Sequence, residues 1–489
     1  AGNPIRVVDI WRTETVEAVE RWGGRGVIIH PGTDSVLALA ITRYAFEQGL
    51  ADRGFLESEC LGAVEFEEHL RGAPTIAEAA RVCGLEEEQV LDLARVLEGA
   101  QKLFLRTGSG WTRRTNGAMG MRAVCSMAAV FGKADRVHYE SAGVFQFDSS
   151  LIARPDLRAE TAPPLLTQVA LGKELEAGRF RAVFVWGHNP ALTLPDSRRV
   201  REGFLREDLF LVVHEQFMTA SAELADVVLP ATMFVEHSDV YRSYGHRMAQ
   251  WGRRAVEPPA GPLSNVHAFS KIAQALGLPS ATWDVTEDGL CEELVAGLKA
   301  HLTPEQEAKL RAGKPTEMEP PVGSRQRATG GRWLTPSGKV ELVSSLAVAA
   351  GKPAMATWCV DPGVDAKRAF WLISAPSKHT HNTTYLNHPR HAKRNASPRC
   401  FLTPEDMAEL GVVDGDLVTL YNDYGQLTLT AEGDERMARG CARVDGFPRP
   451  ADVPERTSIN VLAAPDVSDL GNGTTYFSTR VDVRPAAPA

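Results

Sequence analysis

Cysteine is scarce in this chain and is never closely spaced. Seven cysteines occur in 489 residues, without a CxxC pair, at Cys60, Cys83, Cys125, Cys291, Cys359, Cys400 and Cys441. An odd number at wide spacings fits neither a disulfide framework nor a zinc or iron–sulfur site. We therefore expect reduced, mostly buried thiols, with Cys60 and Cys125 as small core residues of helices, as in a cytoplasmic protein.

Long hydrophobic runs and an excess of basic charge are also missing. No run of eighteen apolar residues is present, so we predict no direct membrane insertion. The first residues lack the basic and then apolar pattern of a signal peptide. A net charge of −9 argues against nucleic acid as a partner. The short pairs Arg113-Arg114 and Arg253-Arg254 are interpreted as solvated faces or phosphate contacts.

The length and the order of apolar runs predict three domains. Strands at Ile5–Asp9 and Gly26–His30 alternate with helices at 14–22 and Ser35–Gln48, which is typical of a parallel α/β sheet. From about Ala369, short strands alternate with turns instead. The predicted fold is α/β: two doubly wound, parallel, Rossmann-like domains over 1–150 and 151–345, followed by a six-stranded-type β-barrel over 366–489.

Further elements are predicted from local patterns. Residues 52–100 are expected to be helical, with a capping box formed by Thr75 and Glu78. The others are a strand at Lys102–Arg106, a helix at Ala118–Val130, a long loop over 132–164, helices at Asn265–Leu276 and 283–300, a surface excursion over 303–330, barrel strands at Phe370–Ile373, Leu417–Tyr421, Gln426–Ala431, Cys441–Val444 and Arg480–Val483, and a helix at Pro404–Leu410.

Polar residues follow two short apolar runs, Ala182–Trp186 and Leu209–Val213. The first run ends in Gly187-His188-Asn189-Pro190 and the second in His214-Glu215. Ligands of open α/β sheets bind at the carboxyl ends of the strands, so two such tips side by side predict a nucleotide-like ligand. Ordinary loop and helix-capping residues are the alternative for either tip alone.

The stretch containing these tips resembles the molybdopterin oxidoreductase family, the dimethyl sulfoxide reductase superfamily. The tips are followed by Ala225–Pro230, Glu236–Asp239 and 241–245 in that family's order. Other matching phrases are Val7–Asp9 with Arg12–Thr15, Pro31–Asp34, Thr335–Leu342, Ser374–Thr383, Ser458–Asn460 and Gly471–Thr474. Each phrase is weak by itself, and their order and spacing make the resemblance specific.

The resemblance implies a molybdenum (or tungsten) bis(molybdopterin guanine dinucleotide) cofactor. The residues that it assigns to cofactor binding are Asp9, Arg12, Thr13, Gly32, Thr33, Asp34, Thr107, Gly108, Gly187, His188, Asn189, Pro190, His214, Glu215, Ser374, Ala375, Pro376, His379, His381, Asn382, Thr383, Asn460, Asn472 and Tyr476. Carboxylates such as Asp34 and Glu215 can accept hydrogen bonds from guanine N1 and N2. The alternatives are that Asp34 only caps a helix and that His379 and His381 face solvent.

The resemblance covers only the C-terminal two-thirds of the family pattern. The family's iron–sulfur cysteines and its molybdenum ligand have no counterpart here, so no catalytic residue or metal ligand is assigned. We expect a missing N-terminal portion, or a separate subunit supplying it, that contains the metal ligand and, in some members, a [4Fe–4S] cluster. A fragment, an engineered truncation or a split subunit would each explain this. An iron–sulfur electron-transfer subunit is a further expected partner.

The expected function is that of an oxidoreductase. It would carry out two-electron redox or oxygen-atom transfer on a small substrate, with electrons passing to or from iron–sulfur or other carriers. The alternative is a structural or electron-conducting subunit of a respiratory complex that keeps the fold without molybdenum. The polar loops Gly187–Pro190 and Ser374–Thr384 favour cofactor binding, because a site without ligand needs few convergent polar groups.

Overall fold

The computed structural model describes residues 5–139, 150, 165–242, 244–279, 283–298, 302–318, 331–358, 368–394 and 397–486. The fold is mixed α/β with a closed barrel of six strands in its C-terminal part. Among the described residues, no helix is both long and apolar enough to cross a bilayer. The structure thus contains both the predicted α/β architecture and the predicted barrel.

The first α/β unit contains short parallel strand pairs surrounded by helices. Its strands are β1 (Arg6–Asp9), β2 (Arg25–Ile28), β3 (Cys60–Leu61), β4 (Leu105–Thr107) and β5 (Val137–Tyr139), and its helices are α1 (Glu14–Arg21), α2 (Asp34–Glu47), α3 (Arg53–Glu59), α4 (Ala63–His69), α5 (Ile76–Cys83), α6 (Glu87–Gly99) and α7 (Gly117–Val130). β1 pairs with β2 and β4 with β5, both in parallel. Helix α2 is apolar nearly all round, because α5 and α7 pack against it.

The second unit contains a parallel sheet and an antiparallel one. Its strands are β6 (Ala182–Trp186), β7 (Phe210–Glu215), β8 (Val227–Pro230), β9 (Asp239–Arg242), β10 (Met248–Gly252) and β11 (Thr316–Glu317), and its helices are α8 (Leu171–Glu176), α9 (Pro190–Thr193), α10 (Ser197–Phe204), α11 (Asn265–Ala275), α12 (Glu287–Gly297) and α13 (Pro304–Arg311). β6, β7 and β8 are parallel neighbours, whereas β10 pairs in antiparallel with β9 and β11.

The chain then returns to the first unit before it enters the barrel. Strand β12 (Val340–Glu341) pairs in parallel with β3, and helix α14 (Ser345–Ala349) follows. Leu342 and Ala356 belong to the core of the first unit. The C-terminal end of the predicted second domain, 151–345, therefore packs against the first unit.

The barrel closes in the order β13, β17, β14, β16, β15, β18. Its elements are β13 (Phe370–Ala375), α15 (Pro389–Arg394), β14 (Arg399–Leu402), α16 (Pro404–Leu410), β15 (Leu417–Tyr421), β16 (Gln426–Gly433), β17 (Cys441–Asp445) and β18 (Arg480–Pro485). β15 and β16 form the predicted hairpin, with Tyr421 opposite Gln426. Inward-facing residues such as Leu402, Val418 and Leu420 fill the interior.

Several local predictions need correction. The predicted loop over 132–164 contains β5, and residues 140–149 and 151–164 lie outside the described part. The predicted excursion over 303–330 contains α13 and β11, and 319–330 lie outside the described part. Strand β14, helix α15 and the antiparallel sheet were not predicted. These strands have two to five residues and the helix has six, so each is too short to give a clear periodic signal.

The cysteine predictions hold only in part. The six described cysteines are free, and all of them except Cys125 are buried. Cys60 follows the last residue of α3 and is the first residue of β3, so its assignment to a helix is wrong. Cys125 lies in α7 as predicted but is exposed, so it is not a core residue. Cys359 lies outside the described residues.

A carboxylate of the barrel caps a helix of the first unit. Asp469 Oδ1 and Oδ2 accept hydrogen bonds from the N–H groups of Ala118 and Met119, each at 2.9 Å. The N-cap residue of α7, Asn116, makes no side-chain capping bond of its own. The acidic group therefore satisfies free N–H groups and the helix dipole from outside the helix, which fixes α7 to the barrel.

A second contact between these parts surrounds Arg443, which is only 2% exposed. Its guanidinium lies 4.1 Å from the ring centroids of both Trp11 and Phe401, and it pairs with Asp434 at 3.0 Å. The backbone N–H of Arg12 donates to the Arg436 carbonyl at 2.9 Å. The chain after β1 is thereby held against the barrel.

Asp434 gives this contact a pH dependence. Burial by itself raises the pKa of Asp434, but hydrogen bonds from Arg436 and the charges of Arg436 and Arg443 outweigh it and lower the pKa to about 2. Because the folded pKa lies below the unfolded value of 3.8, the stabilisation is present above that value and is lost as the pH falls towards 2.

We predict that Asp434→Asn lowers the free energy of unfolding by about 2 kcal/mol near neutral pH. The difference from wild type should shrink below pH ~4 and vanish near pH ~2. Urea unfolding at several pH values measures it, with the exposed Asp284→Asn as control. An equal difference at all pH values, or none near neutrality, would contradict the assignment.

Candidate cofactor site

The two polar strand tips of the second unit lie side by side, as predicted. β6 and β7 are parallel neighbours, and Trp186 is aligned with His214. The N–H of Gly187 donates to the His214 carbonyl at 3.1 Å. Gly187 has a φ of 55°, in the left-handed region that glycine adopts without strain. The turn after β6 and the end of β7 therefore form one edge of the sheet.

His214 is fully buried at this edge and has an unsatisfied ring nitrogen. Nδ1 lies 3.1 Å from the Leu229 carbonyl, which can only accept, so Nδ1 is the donor. Nε2 is buried and has no partner among the described residues, and the same holds for Nε2 of His188. Burial lowers the pKa of His188. Since buried polar atoms are normally hydrogen-bonded, these two nitrogens indicate a ligand or ordered water.

Glu215 lies next to His214 and is partly exposed. Its Oε1 accepts a hydrogen bond from the backbone N–H of Gln216 at 2.7 Å. The carboxylate therefore keeps acceptor capacity for a donor at the carboxyl end of the sheet.

Asn189 braces the turn from within. Its Oδ1 accepts hydrogen bonds from the backbone N–H of Ser221 at 3.1 Å and from Ser221 Oγ at 2.8 Å. Ser221 Oγ in turn accepts the N–H of Ala191 at 3.0 Å. Pro190 is buried at the first position of α9, where its fixed φ suits the helix. The turn after β6 is thus fixed to the loop after β7.

The barrel holds the other end of α9. Ser458 Oγ donates to the Leu192 carbonyl at 2.9 Å, and Asn460 Nδ2 and Tyr476 Oη donate to the Thr193 carbonyl at 2.7 and 2.6 Å. Asn460 and Tyr476 were assigned to cofactor binding. These two bonds show that both residues position the loop, and contact with a cofactor stays a prediction.

The first predicted cofactor segment, after β1, is largely engaged in local contacts. Asp9 accepts hydrogen bonds from the Ile10 N–H at 2.8 Å and from Thr13 Oγ1 at 3.1 Å. Thr13 also caps α1. The Arg12 side chain is half exposed and pairs with Glu20 at 2.5 Å. Burial raises the pKa of Asp9, although these hydrogen bonds oppose the shift.

Gly32, Thr33 and Asp34 form a turn against a buried arginine. A Cβ at Gly32, where φ is 83°, would lie 2.3 Å from Arg114 Nη2, so only glycine allows this approach. Thr33 is the N-cap of α2, and its hydroxyl donates to the His30 carbonyl at 2.7 Å. Asp34 is the first helical residue, so the interpretation of Asp34 as the cap is wrong.

Burial raises the pKa of Asp34, and nearby Arg114 opposes this shift while Asp9 adds to it. A partly buried carboxylate in this state is poorly supplied with donors by the protein. Together with Asp9, whose carboxylate already accepts two local hydrogen bonds, Asp34 would repel a phosphate. Their environment suits a ligand that presents N–H donors.

Arg114 links this turn to the barrel. Its Nη1 donates to the Phe477 carbonyl at 2.6 Å, and its guanidinium stacks 4.8 Å from the Trp371 ring. Arg114 is 6% exposed, so its interpretation as part of a solvated face is wrong. Sequence reasoning left it out of the site, since its partners lie more than 250 residues away in the chain.

The turn after β4 lies close to the same barrel segment. The Thr107 hydroxyl donates to the His138 carbonyl at 3.1 Å and is therefore engaged within the sheet. Gly108 is exposed, and Gly110 packs next to the Phe477 ring. Contact of Thr107 and Gly108 with a phosphate stays a prediction.

The predicted pterin loop follows β13, which contains Ser374 and Ala375. The Ala375 carbonyl accepts the Gly446 N–H at 2.7 Å. Beyond exposed Pro376, Ser377 Oγ accepts the His379 N–H at 3.0 Å. His381 pairs with Thr384 across a tight turn in which Asn382 has a φ of 53°.

Two residues show how this loop is placed. Lys378 forms an ion pair with Glu14, at the start of α1. Thr380 is 8% exposed, and its Oγ1 is buried without a partner among the described residues. Sequence reasoning passed over Thr380, although it lies between His379 and His381. Partly buried Thr383 accepts the Leu386 N–H through its carbonyl, and Asn472 is exposed on a separate turn with a φ of 51°.

The Gly32 turn of the first unit and the strand tips of the second unit thus converge on one barrel segment. Tyr476 contacts the loop beside the second unit's tips, and adjacent Phe477 contacts Arg114 at Gly32. Within the described ranges, no three His, Cys, Asp or Glu side chains are close enough to hold a metal ion. The unsatisfied atoms of His188, His214 and Thr380 and the poorly solvated carboxylates fit a polar organic ligand.

Comparisons with known proteins agree with this arrangement. Residues 26–274 match the family model "Molybdopterin oxidoreductase", and residues 370–480 match "Molydopterin dinucleotide binding domain". The "Probable oxidoreductase YoaE" of Bacillus subtilis (strain 168) is 30% identical over 99% of this chain and 70% of its own length. The chain belongs to the molybdopterin oxidoreductase family.

More distant relatives of this molybdopterin oxidoreductase include a reductase and a protein of solved structure. The "Dimethyl sulfoxide/trimethylamine N-oxide reductase" of Cereibacter sphaeroides is 24% identical over 98% of this chain and 65% of its own length. The solved structure of "Acetylene Hydratase from Pelobacter acetylenicus" superposes with a TM-score of 0.79 at 16% identity, over 99% of this chain and 74% of that one. The latter likeness supports the fold alone.

We predict that Ser221→Ala destabilises this molybdopterin oxidoreductase by about 1–3 kcal/mol, because it leaves the Ala191 N–H without its acceptor and removes one of the two hydrogen bonds to the buried Asn189 oxygen. Urea unfolding measures the loss, and Ser345→Ala, an exposed serine at the start of α14, is the matched control. Equal stabilities of the two variants would contradict the bracing role.

Proposed function

We propose that this chain binds a molybdenum (or tungsten) bis(molybdopterin guanine dinucleotide) and is the cofactor-binding part of an enzyme for two-electron redox or oxygen-atom transfer on a small substrate. The observation that supports this most is His214, a fully buried imidazole at the carboxyl edge of the sheet whose Nε2 has no partner among the residues that the structure describes. When bound, the metal and its dithiolenes would supply the redox chemistry. The chain's own residues would bind, orient and desolvate the cofactor.

The residues divide into three roles in this proposal. With Nδ1 donating to the Leu229 carbonyl, Nε2 of His214 would accept a hydrogen bond from a guanine or ribose donor, as would the carboxylates of Glu215 and Asp34. The backbone N–H groups near Gly187 and Gly108 would serve pyrophosphates. The loop Ser374–Thr383, with His379 and Asn382, would meet the pterin.

One face of the β6–β8 sheet is only partly covered. Phe210 and Trp186 on this face are each 50% exposed and Val227 is 38% exposed, whereas Leu211 on the other face is fully buried. The Phe269 ring of α11 lies 5.0 Å from the Trp186 ring and covers only part of this face. Sheets of parallel strands are normally covered on both faces.

We infer that an N-terminal portion, or a separate subunit supplying it, covers this face and completes a doubly wound sheet. The chain aligns with 70% of the Bacillus relative, which leaves sufficient length for such a portion. The same portion would supply the metal ligand and, where one exists, a [4Fe–4S] cluster that passes electrons to an iron–sulfur subunit.

The guanine role of Asp34 and Glu215 is tested by a full-length Asp34→Asn, Glu215→Gln double variant. Each amide would present N–H groups to guanine donors, so retention of each nucleotide should fall about tenfold or more. The Asp34→Asn change should not lower the free energy of unfolding of the cofactor-free protein, because burial disfavours the charged form of Asp34. The readouts are GMP released per protein and urea unfolding.

The matched control for this experiment is Glu57→Gln with Asp284→Asn, two exposed acids. Full nucleotide content in the Asp34, Glu215 variant would rule out the guanine role. A loss of nucleotide equal to that of the control pair would do the same.

A further inference from the structure

The segment that follows the pterin loop has an unbalanced positive charge. Helix α15 contains three exposed cations, Arg390, Lys393 and Arg394, although the whole chain has a net charge of −9. Within the described ranges, no carboxylate pairs with any of the three, although most other arginines of the barrel have acidic partners. We call Tyr385–Arg394 the basic segment.

The backbone of the basic segment is held in an unusual conformation. Tyr385 has a φ of 71°, which is rare for a bulky residue and costs free energy. Its ring stacks on His391 at 5.4 Å, and His388 contacts His391 edge-on at 5.1 Å. Leu386 and Ala392 are buried, so the segment is packed into the protein through these two side chains. The exposed cations are thereby presented from a fixed support.

The basic segment lies next to the predicted pterin loop. The Leu386 N–H donates to the Thr383 carbonyl, the last residue of the predicted pterin loop. A charged surface here would bring a partner close to the cofactor. The closeness to the cofactor rests on the function proposed above, because it assumes that the loop Ser374–Thr383 binds the pterin.

The exposure of the cations favours a protein over a small anion. Single ion pairs at an exposed surface are worth little, so three exposed cations on a short helix retain a small anion poorly. A protein with an acidic face meets all three at once and gains in association rate from long-range attraction.

We propose that the basic segment is the docking surface for an acidic electron-carrier protein. Two-electron redox at the cofactor requires a second reactant that gives or takes two electrons. Either two one-electron carriers or one two-electron carrier balances each turnover at this surface.

The test uses the full-length, cofactor-loaded enzyme with Arg390→Gln, Lys393→Gln and Arg394→Gln combined. The control combines Arg81→Gln, Lys102→Gln and Lys271→Gln, three exposed cations elsewhere with the same change in net charge. The probes are an acidic plant-type [2Fe–2S] ferredoxin and, as a small carrier, methyl viologen. We measure kcat/KM for each, and the Kd for ferredoxin by titration calorimetry at low and high NaCl.

The basic-segment variant should lose about tenfold in ferredoxin kcat/KM and affinity at low salt, and its salt dependence should flatten. Rates with methyl viologen should match wild type. Equal ferredoxin affinity in variant and control would overturn the proposal. A rise in KM for the oxidisable or reducible substrate with methyl viologen as carrier would also overturn it, because the segment would then serve a small anion. Absence of pterin from all proteins would instead contradict the function proposed above, and the calorimetric comparison would still decide docking.

Discussion

The placement of the candidate cofactor site depends on hydrogen bonds between one stretch of the barrel, 458–478, and both α/β units. Tyr476 donates to the last carbonyl of α9, and the Phe477 carbonyl accepts from Arg114. Asp469 satisfies two N–H groups at the start of α7. Each bond satisfies a backbone group or a buried cation that would otherwise be costly. The barrel therefore sets where the polar loops of both units lie.

This arrangement gives several polar residues a positioning role. Asn189, Asn460 and Tyr476 use their side chains to fix a turn, whereas His214 and Thr380 have polar atoms with no partner in the described part of the chain. The first group gives the site its shape, and the second gives it capacity to bind. A substitution in the first group would change cofactor binding through loop geometry.

The sequence predicted those parts whose signals are local. The β6 and β7 tips follow from short apolar runs with polar ends, and the barrel hairpin from its turn residues. Arg114 and Tyr476 act through partners hundreds of residues away, and nothing in the neighbouring sequence indicates such contacts. Asp34 looked like a helix cap because Asp is common there, but the helix begins one residue earlier than predicted, with Thr33 at the cap. The strand β14 and the antiparallel sheet escaped because their strands are too short for a periodic signal.

Cofactor content of the full-length protein tests the central claim most directly. The purified protein would be analysed for molybdenum and tungsten, and for the pterin and GMP released on denaturation. The account predicts one metal ion, two pterins and two GMP per chain, because in the function proposed above each of the two α/β units would bind one nucleotide. Metal-free protein without pterin or GMP, obtained from cells in which other molybdopterin enzymes are fully loaded, would contradict it.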